Sequence, residues 1–347
     1  MQEIVEGKAK IAISISEKIS KEMPVFYNPV MKFNRDISIL LLNSIKKTDL
    51  TIALPLAASG IRGIRFLLEL NNIKEVHFND HDKDFKKNIR KNLRLNNIAK
   101  KAIIHSTDAN LFLLNSTGFN YIDIDPFGSP NAFLDSAVNR INREGILAVT
   151  ATDTSALCGT YPKACKRKYW ATPLRNELMH EIGLRILIRK VQLIGAQFEK
   201  ALIPIFSYSK DHYMRIFFRC IKGKSDVDAV LNQHDFYDDA GPIWTGPIFD
   251  NKLVSLIIKN NKDLLAKDNE LGRFFKIVHA ESKINIVGFY NIHKIVKRNK
   301  LHHIPRKQEL ITKIKKLKYK VSETHFCPEG IRSDISLEKF LRLLTEK

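Results

Sequence analysis

Through its first two-thirds the chain alternates short apolar runs with helical patterns, and the polar motifs stand just after the runs. "LTIALPL" (50–56) precedes "AASGIRGIRFLLEL", where glycines give way to apolar residues at helical spacing. "KEVHFND" (74–80) precedes "DKDFKKNIRKNLRLNN" (82–97), which reads as a helix with Phe85, Ile89 and Leu93 on one face and lysines and arginines around the rest. "KAIIHSTDAN" (101–110), "FNYIDID" (119–125) and "GILAVTATD" (145–153) read as the third, fourth and fifth strands. A helix is expected near 173–193. Two strands in succession follow, "QFEKALIPIFSYS" and "HYMRIFFRC", as an antiparallel pair closing the sheet edge. Strand–helix alternation implies an α/β fold with a parallel, doubly wound sheet. Such sheets bind ligands at the carboxyl ends of their strands, where the strand order switches.

From about residue 222 the texture changes. "GPIWTGPIFD" (241–250) is rich in Gly and Pro, and "RKQELITKIKKLKYKVSETHFCPEGIRSD" (306–334) reads as a helix, a turn and a short strand or wing. Two domains are therefore expected, 1–222 and a smaller, basic α+β domain over 223–347. The formal net charge is +20, and between Lys283 and Lys320 stand twelve Lys and Arg against one acid, Glu309. Charge of that size and clustering points to nucleic acid. No stretch approaches the roughly 20 apolar residues of a membrane span. "MQEIVEGKAK" carries acids and no apolar core, so a leader is not expected, and a cytoplasmic protein with no membrane and no obligate protein partner is. Cys158, Cys165, Cys220 and Cys327 form no CxxC pair, and His302, His303, His325 and Cys327 fit no zinc spacing, so no metal is expected.

The polar strand ends carry the chemistry. Gly60 and Gly63 permit a tight turn and close approach of backbone to a ligand. Asp80, after the second strand, can accept hydrogen bonds from both ribose hydroxyls of a nucleoside. Asp108, after the third, is positioned for an exocyclic amine of adenine. Each taken singly is an ordinary cap or loop acid; in this order they favour a nucleoside cofactor. Asp123 and Asp125 alternate on one strand and so point to one face. Asp125-Pro126-Phe127 resembles the Asn/Asp-Pro-Pro-aromatic motif of methyltransferases that act on exocyclic amines of bases. Such an amine is a poor nucleophile, because its lone pair is delocalised into the ring. A carboxylate (Asp125) and a carbonyl (of Pro126) accepting its protons localise that lone pair, while Phe127 offers the base a stacking face.

"VFYNPVMKFNRDIS" (25–38), "ASGIRGIR" (58–65), "FND", "DAN", "DIDPFGSP" (123–130), "ATDTSALCG" (151–159) and "YPKACKRKYW" (161–170) occur in an order that resembles the tRNA guanosine-26 N2-dimethyltransferases. The likeness covers the first 220 residues, with "GPIWTGPI" and "THFCPEGIRSD" extending it. It implies a Rossmann-like class I methyltransferase fold, S-adenosyl-L-methionine as cofactor and tRNA as substrate, with one or two methyl groups transferred. It also implies Arg35 as a contact to the methionine carboxylate and Arg62 or Arg65 as another, one of that pair facing solvent. Asp80 would hold the ribose, Asp108 and the Ala109 backbone the adenine. Lys163, Lys166, Arg167, Lys168 and Tyr169, basic and aromatic residues interleaved, would meet the RNA. "TDTSALCG" would line the base pocket, with Cys158 structural. Many relatives carry paired CxxC elements before the "GPIW" segment; here no cysteine stands between Cys220 and that segment, which argues against a structural zinc. Two competing readings are a related amino-methyltransferase working on another base and an RNA-binding protein on a decayed methyltransferase fold.

Overall fold

The structure, a computed structural model, describes residues 2–13, 26–99, 101–301 and 303–345; Val25 and His302, named above, lie outside them. The chain divides into two compact units. Unit 1 comprises Met1–Thr152, Gln192–Ile203 and Arg215–Asp228, and unit 2 comprises Asp153–Val191, Pro204–Met214 and Ala229–Lys347. Compactness thus follows discontinuous segments rather than a single cut after residue 222.

Unit 1 opens with a hairpin that the sequence reading did not anticipate: β1 (Gln2–Glu6) pairs antiparallel with β2 (Ala9–Ile13). Then follow α1 (Lys32–Leu42), β3 (Leu50–Leu54), α2 (Ile61–Glu69), β4 (Ile73–Phe78), α3 (Phe85–Leu95), β5 (Ala102–Ile104), α4 (Ala109–Leu114), β6 (Phe119–Ile124), α5 (Leu134–Arg140) and β7 (Ile141–Ala151). The chain then passes through α6 (Thr154–Leu157), α7 (Pro162–Tyr169) and α8 (Met179–Gln197), which lie in unit 2 as far as Val191, before β8 (Lys200–Lys210), β9 (Tyr213–Lys222) and α9 (Lys224–Leu231).

The seven-stranded sheet has the order β5-β4-β3-β6-β7-β9-β8. Strands β3 and β4, β4 and β5, β3 and β6, and β6 and β7 run parallel. Only Asp211 and His212 join β8 to β9, so these neighbours are antiparallel and close the edge as expected. The chain winds outward from β3 through β4 to β5, then returns to the other side of β3 as β6. The switch point therefore lies between β3 and β6, and the loops after β3, β4, β5 and β6 share one end of the sheet.

Two glycines let α2 sit there. Gly60 holds φ +79°, where a Cβ would stand 2.0 Å from Ile89 Cδ1. At Gly63 a Cβ would come within 2.3 Å of the Phe78 ring, so its absence seats α2 directly on the sheet. The expected third strand is shorter than read. It ends at Ile104, and Asp108 caps a helix through bonds from the amides of Asn110 and Leu111 to its Oδ1, so Ala109 and Asn110 are helical.

In unit 2, β10 (His234–Tyr237) pairs antiparallel with β11 (Ala240–Trp244). Next come α10 (Asn251–Asn260), α11 (Lys262–Lys267), α12 (Asn269–Glu281), β12 (Tyr290–Asn291), α13 (Ile292–Arg298), α14 (Lys307–Lys316), β13 (Val321–Thr324), β14 (Cys327–Ser333) and α15 (Leu337–Thr345). The basic stretch read as helix, turn and strand is α14 followed by the β13–β14 hairpin. Its core gathers Ile295, Leu310, Ile314, Ile331, Phe340 and Leu344 from helices and sheet alike. Among the described residues no helix is long and apolar enough to cross a membrane.

Candidate active site

The end of β6 carries two carboxylates on one face, as strand alternation requires, and a single guanidinium touches both. Arg62 Nη2 lies 2.5 Å from Asp125 Oδ2, and its Nη1 lies 3.5 Å from Asp123 Oδ2. The same Nη1 donates to Asn34 Oδ1 and Ser38 Oγ, both at 3.0 Å. Asp123 is only 3% exposed. It receives both Arg215 terminal nitrogens, at 2.8 and 2.7 Å, and the Tyr121 hydroxyl at 2.6 Å. Burial would raise the Asp123 carboxyl, but Arg215 and Arg62 outweigh it and hold the group below the usual carboxylate range. Two acids and two arginines make a neutral cluster, which is what a buried charge needs. Asp125, with its side chain 21% exposed, is the acid of this cluster that reaches solvent.

The turn after Asp125 is strapped down. Gly128 N donates to Thr152 Oγ1 at 2.7 Å, and Thr152 N donates to Gly128 O at 2.9 Å, tying the turn to the residue after β7. Pro126 is buried. Phe127 is 58% exposed, and the Phe26 ring stands edge-on to it with centroids 4.6 Å apart. An aromatic face left open beside a partly open carboxylate is a place for a flat heterocycle bearing an amine.

Asp80 and Asp108 stand at the same end of the sheet. Asp80 Oδ2 accepts from Ala58 N at 2.9 Å, which fixes the loop after β3 to the loop after β4. Fully buried Asn79, the residue before Asp80, whose role the sequence did not show, adds a second clamp. Its Nδ2 donates to Pro55 O and Thr107 O, at 3.0 and 3.1 Å, and its Oδ1 accepts from Thr107 N at 3.2 Å. One side chain thus joins the loops after β3, β4 and β5. In Asp108 both cap bonds end on Oδ1, and Ala109 is buried. Two carboxylates at the tips of β4 and β5, on loops tied to one another, are hydrogen-bond acceptors that fit the hydroxyls and amine of an adenosine-bearing cofactor.

Neither Arg62 nor Arg65 faces solvent. They are 9% and 3% exposed, because positions three apart on α2 share one face. Arg65 and Arg35 meet in a separate network. Arg35 makes paired bonds to Glu6, Nε–Oε1 at 2.7 Å and Nη2–Oε2 at 2.5 Å, and also donates to Asn28 O at 3.0 Å. Arg65 reaches Glu6 Oε1 at 2.8 Å, Asp36 Oδ1 at 2.7 Å and Glu69 Oε1 at 2.8 Å. Burial would raise Glu6, but Arg35 and Arg65 prevail and bring it down to about 2. Of the arginines expected to contact the cofactor, Arg35 and Arg65 are thus bonded to Glu6, and Arg65 also to Asp36 and Glu69, whereas Arg62 is bonded to Asp125.

The family model for N2,N2-dimethylguanosine tRNA methyltransferase matches residues 5–239 and 232–345. The chain belongs to this family. It is 36% identical to the tRNA (guanine(26)-N(2)/guanine(27)-N(2))-dimethyltransferase of Aquifex aeolicus, over 100% of this chain and 96% of that protein. It is also 36% identical to the tRNA (guanine(26)-N(2))-dimethyltransferase of Pyrococcus abyssi, over 99% and 98%. The solved complex of Trm1 from Pyrococcus horikoshii with S-adenosyl-L-methionine superposes with a TM-score of 0.90 at 36% identity, covering 99% of both chains.

In this methyltransferase the expected RNA-facing stretch forms α7 and its ends. Lys163, Lys166, Arg167 and Lys168 are exposed. Tyr169 is not: it is fully buried, and its hydroxyl donates to Asp153 Oδ1 at 2.5 Å, while Lys168 reaches Asp153 Oδ2 at 3.1 Å. The correction has a plain cause, since Cys165 and Tyr169 lie four apart on the inward face of α7. The open aromatics are Tyr161, 62% exposed, and Trp170, 49% exposed at the C-cap beneath Lys190. Burial pushes the Cys158 thiol up to about 12, which leaves no thiolate nucleophile at neutral pH.

"THFCPEGIRSD" has a structural use. Arg332 bridges Glu181 (Nη2–Oε2, 2.7 Å) and Glu281 (Nε–Oε1, 2.9 Å), and His325 Nδ1 lies 2.6 Å from Glu281 Oε2. Among the described residues no group of three or more His, Cys, Asp or Glu side chains could hold a metal ion.

Proposed function

We propose that this chain transfers one or two methyl groups from S-adenosyl-L-methionine to the exocyclic amine of guanosine 26 in tRNA, acting in the cytoplasm without an obligate protein partner. The observation that carries the proposal is Asp125, a partly open carboxylate at the tip of β6, beside the exposed ring of Phe127.

In this reading the bound cofactor supplies a methyl group on a sulfonium, a good leaving group. Asp80 and Asp108 would hold its ribose and adenine, and Gly60 would let the backbone approach. Asp125 Oδ and the Pro126 carbonyl would accept hydrogen bonds from the two amine N–H groups, leaving the nitrogen lone pair aimed along the transfer axis, and the one proton shed by the methylated nitrogen would pass to the Asp125 carboxylate. Phe127 would stack on the extruded base. Arg62, whose Nη2 lies 2.5 Å from Asp125 Oδ2, would hold that carboxylate in place. Lys163, Lys166, Arg167 and Lys168, with the basic segment 223–347, would grip the RNA backbone.

The test is incubation of Asp125→Ala and parent proteins with unmodified tRNA and labelled donor, followed by nucleoside analysis and donor calorimetry. Dimethylguanosine or its monomethyl precursor from the parent, none from the variant, and near-parental donor affinity support the assignment. Equal loss of donor affinity would move Asp125 into the cofactor site, and a different nucleoside product would change the substrate.

A further inference from the structure

Helix α3 carries a second basic surface, in unit 1 and outside everything assigned above. Lys86, Lys87, Arg90, Lys91 and Arg94 are all exposed, and at 100° per residue they fall within an arc of about 140°. Lys83 stands exposed on the turn before them. The opposite face is core: Phe85, Ile89, Asn92 and Leu93 are buried. That face is also pinned by polar bonds. Asn92 accepts from Ala12 N at 2.8 Å and donates to Ser59 O at 3.0 Å; Asn96 accepts from Lys10 N at 2.8 Å and donates to Lys10 O at 2.6 Å. The basic face is therefore presented on a rigid element.

Its charge pattern works against the helix. Lys86–Arg90, Lys87–Lys91 and Arg90–Arg94 are like charges four apart, an arrangement that destabilises a helix. No acid occurs between Phe85 and Leu95 to offset them. Among the described residues no carboxylate pairs with Lys83, Lys86, Lys87, Arg90 or Arg94, whereas acids are spent freely on the arginines of the adjacent α2. A face kept for solubility alone would interleave both signs. A run of anions spaced along about 12 Å, the axial distance from Lys86 to Arg94, would relieve all three repulsions at once.

We propose that the exposed face of α3 is a docking surface for the phosphate backbone of the tRNA substrate, engaging a stretch away from the base that is methylated. The proposal rests on the tRNA reading above. Its measure is the salt dependence of binding, which is read without catalysis, so the two can fail separately. The fourfold variant Lys86→Gln, Lys87→Gln, Arg90→Gln, Arg94→Gln is compared with the parent in tRNA binding over a range of salt. Loss of four phosphate contacts makes the slope of log K against log salt shallower by about 3 to 4. At about 0.1 M salt the KM for tRNA rises tenfold or more, while kcat at saturating tRNA and donor affinity stay at parental values. Melting temperature does not fall, since repulsive pairs have been removed. Arginine in place of Lys86 and Lys87 retains the parental slope. The double variants Lys86→Gln/Arg90→Gln and Lys87→Gln/Arg94→Gln each account for part of the change. An unchanged slope and KM in the fourfold variant overturn the docking surface even if the parent methylates tRNA normally. A parent that binds tRNA with an α3-dependent slope yet produces no methylguanosine overturns the catalytic reading and leaves the surface standing.

Discussion

Glu6 is the point at which one substitution should loosen unit 1 most legibly. Its carboxyl is 3% exposed and bonded to both Arg35 and Arg65. Burial alone would raise its titration point; the two guanidinium groups outweigh that and bring it from 4.5 to about 2. That drop from 4.5 in the unfolded chain to about 2 in the folded one corresponds to roughly 3 kcal/mol of folding stability. The sign follows from the direction. Because the folded value is the lower one, this stability is fully present above about pH 5 and is lost as pH falls toward 2. Glu6→Gln should therefore destabilise unit 1 by about 3 kcal/mol at pH 7, the scale for breaking a buried ion pair by removing one partner.

The assay must read the right unit. Trp170 and Trp244 both lie in unit 2, so tryptophan fluorescence does not report on this network. Amide hydrogen exchange of α1 and α2 does, and 3 kcal/mol corresponds to exchange roughly a hundredfold faster in the variant at pH 7. After correction for intrinsic rates, the ratio should shrink steadily between about pH 5 and pH 2. Parental protection at pH 7, or a deficit that persists undiminished at pH 2.5, would refute the reasoning: either Glu6 does not hold these arginines, or its stabilisation is not that of an ionised group.

Three further outcomes are expected. Phe127→Ala should leave thermal stability within about 0.5 kcal/mol, because the ring is largely exposed, and lower turnover of tRNA by about fivefold to a hundredfold, the range of one lost base–aromatic stack. Tyr169→Phe should lower stability by about 1 kcal/mol through loss of its bond to Asp153, with tRNA affinity in filter binding unchanged. Asp108→Asn should keep the cap on α4 and weaken donor binding in calorimetry, whereas Asp108→Ala should weaken it and lose about 1 kcal/mol of stability as well. Loss of donor affinity in the alanine variant alone would confine Asp108 to capping.

What was legible in the chain was local. Apolar runs located β3, β4 and β6, the last two ending in acid, and alternation along one strand put Asp123 and Asp125 on one face, where a single arginine now touches both. Two misreadings had local signals available. The Cys165–Tyr169 spacing marks an inward helix face, and "STDANLF" carries a capping aspartate ahead of an apolar helical run, which ends the strand early. The partners that tune the site were not legible, because they lie far off along the chain. Arg215 lies 92 residues from the Asp123 it neutralises, and Glu6 lies 29 and 59 from the arginines it binds. Nothing in the sequence around Glu6 separates it from a surface acid. The charge pairing of Asp123 and Asp125 therefore depends on topology more than on their own motif. Moving "DIDPFG" intact to another strand end would carry over Asp125 and Phe127 but not Arg62, Arg215 or Thr152, and so would transfer the residues of the site without its charge balance.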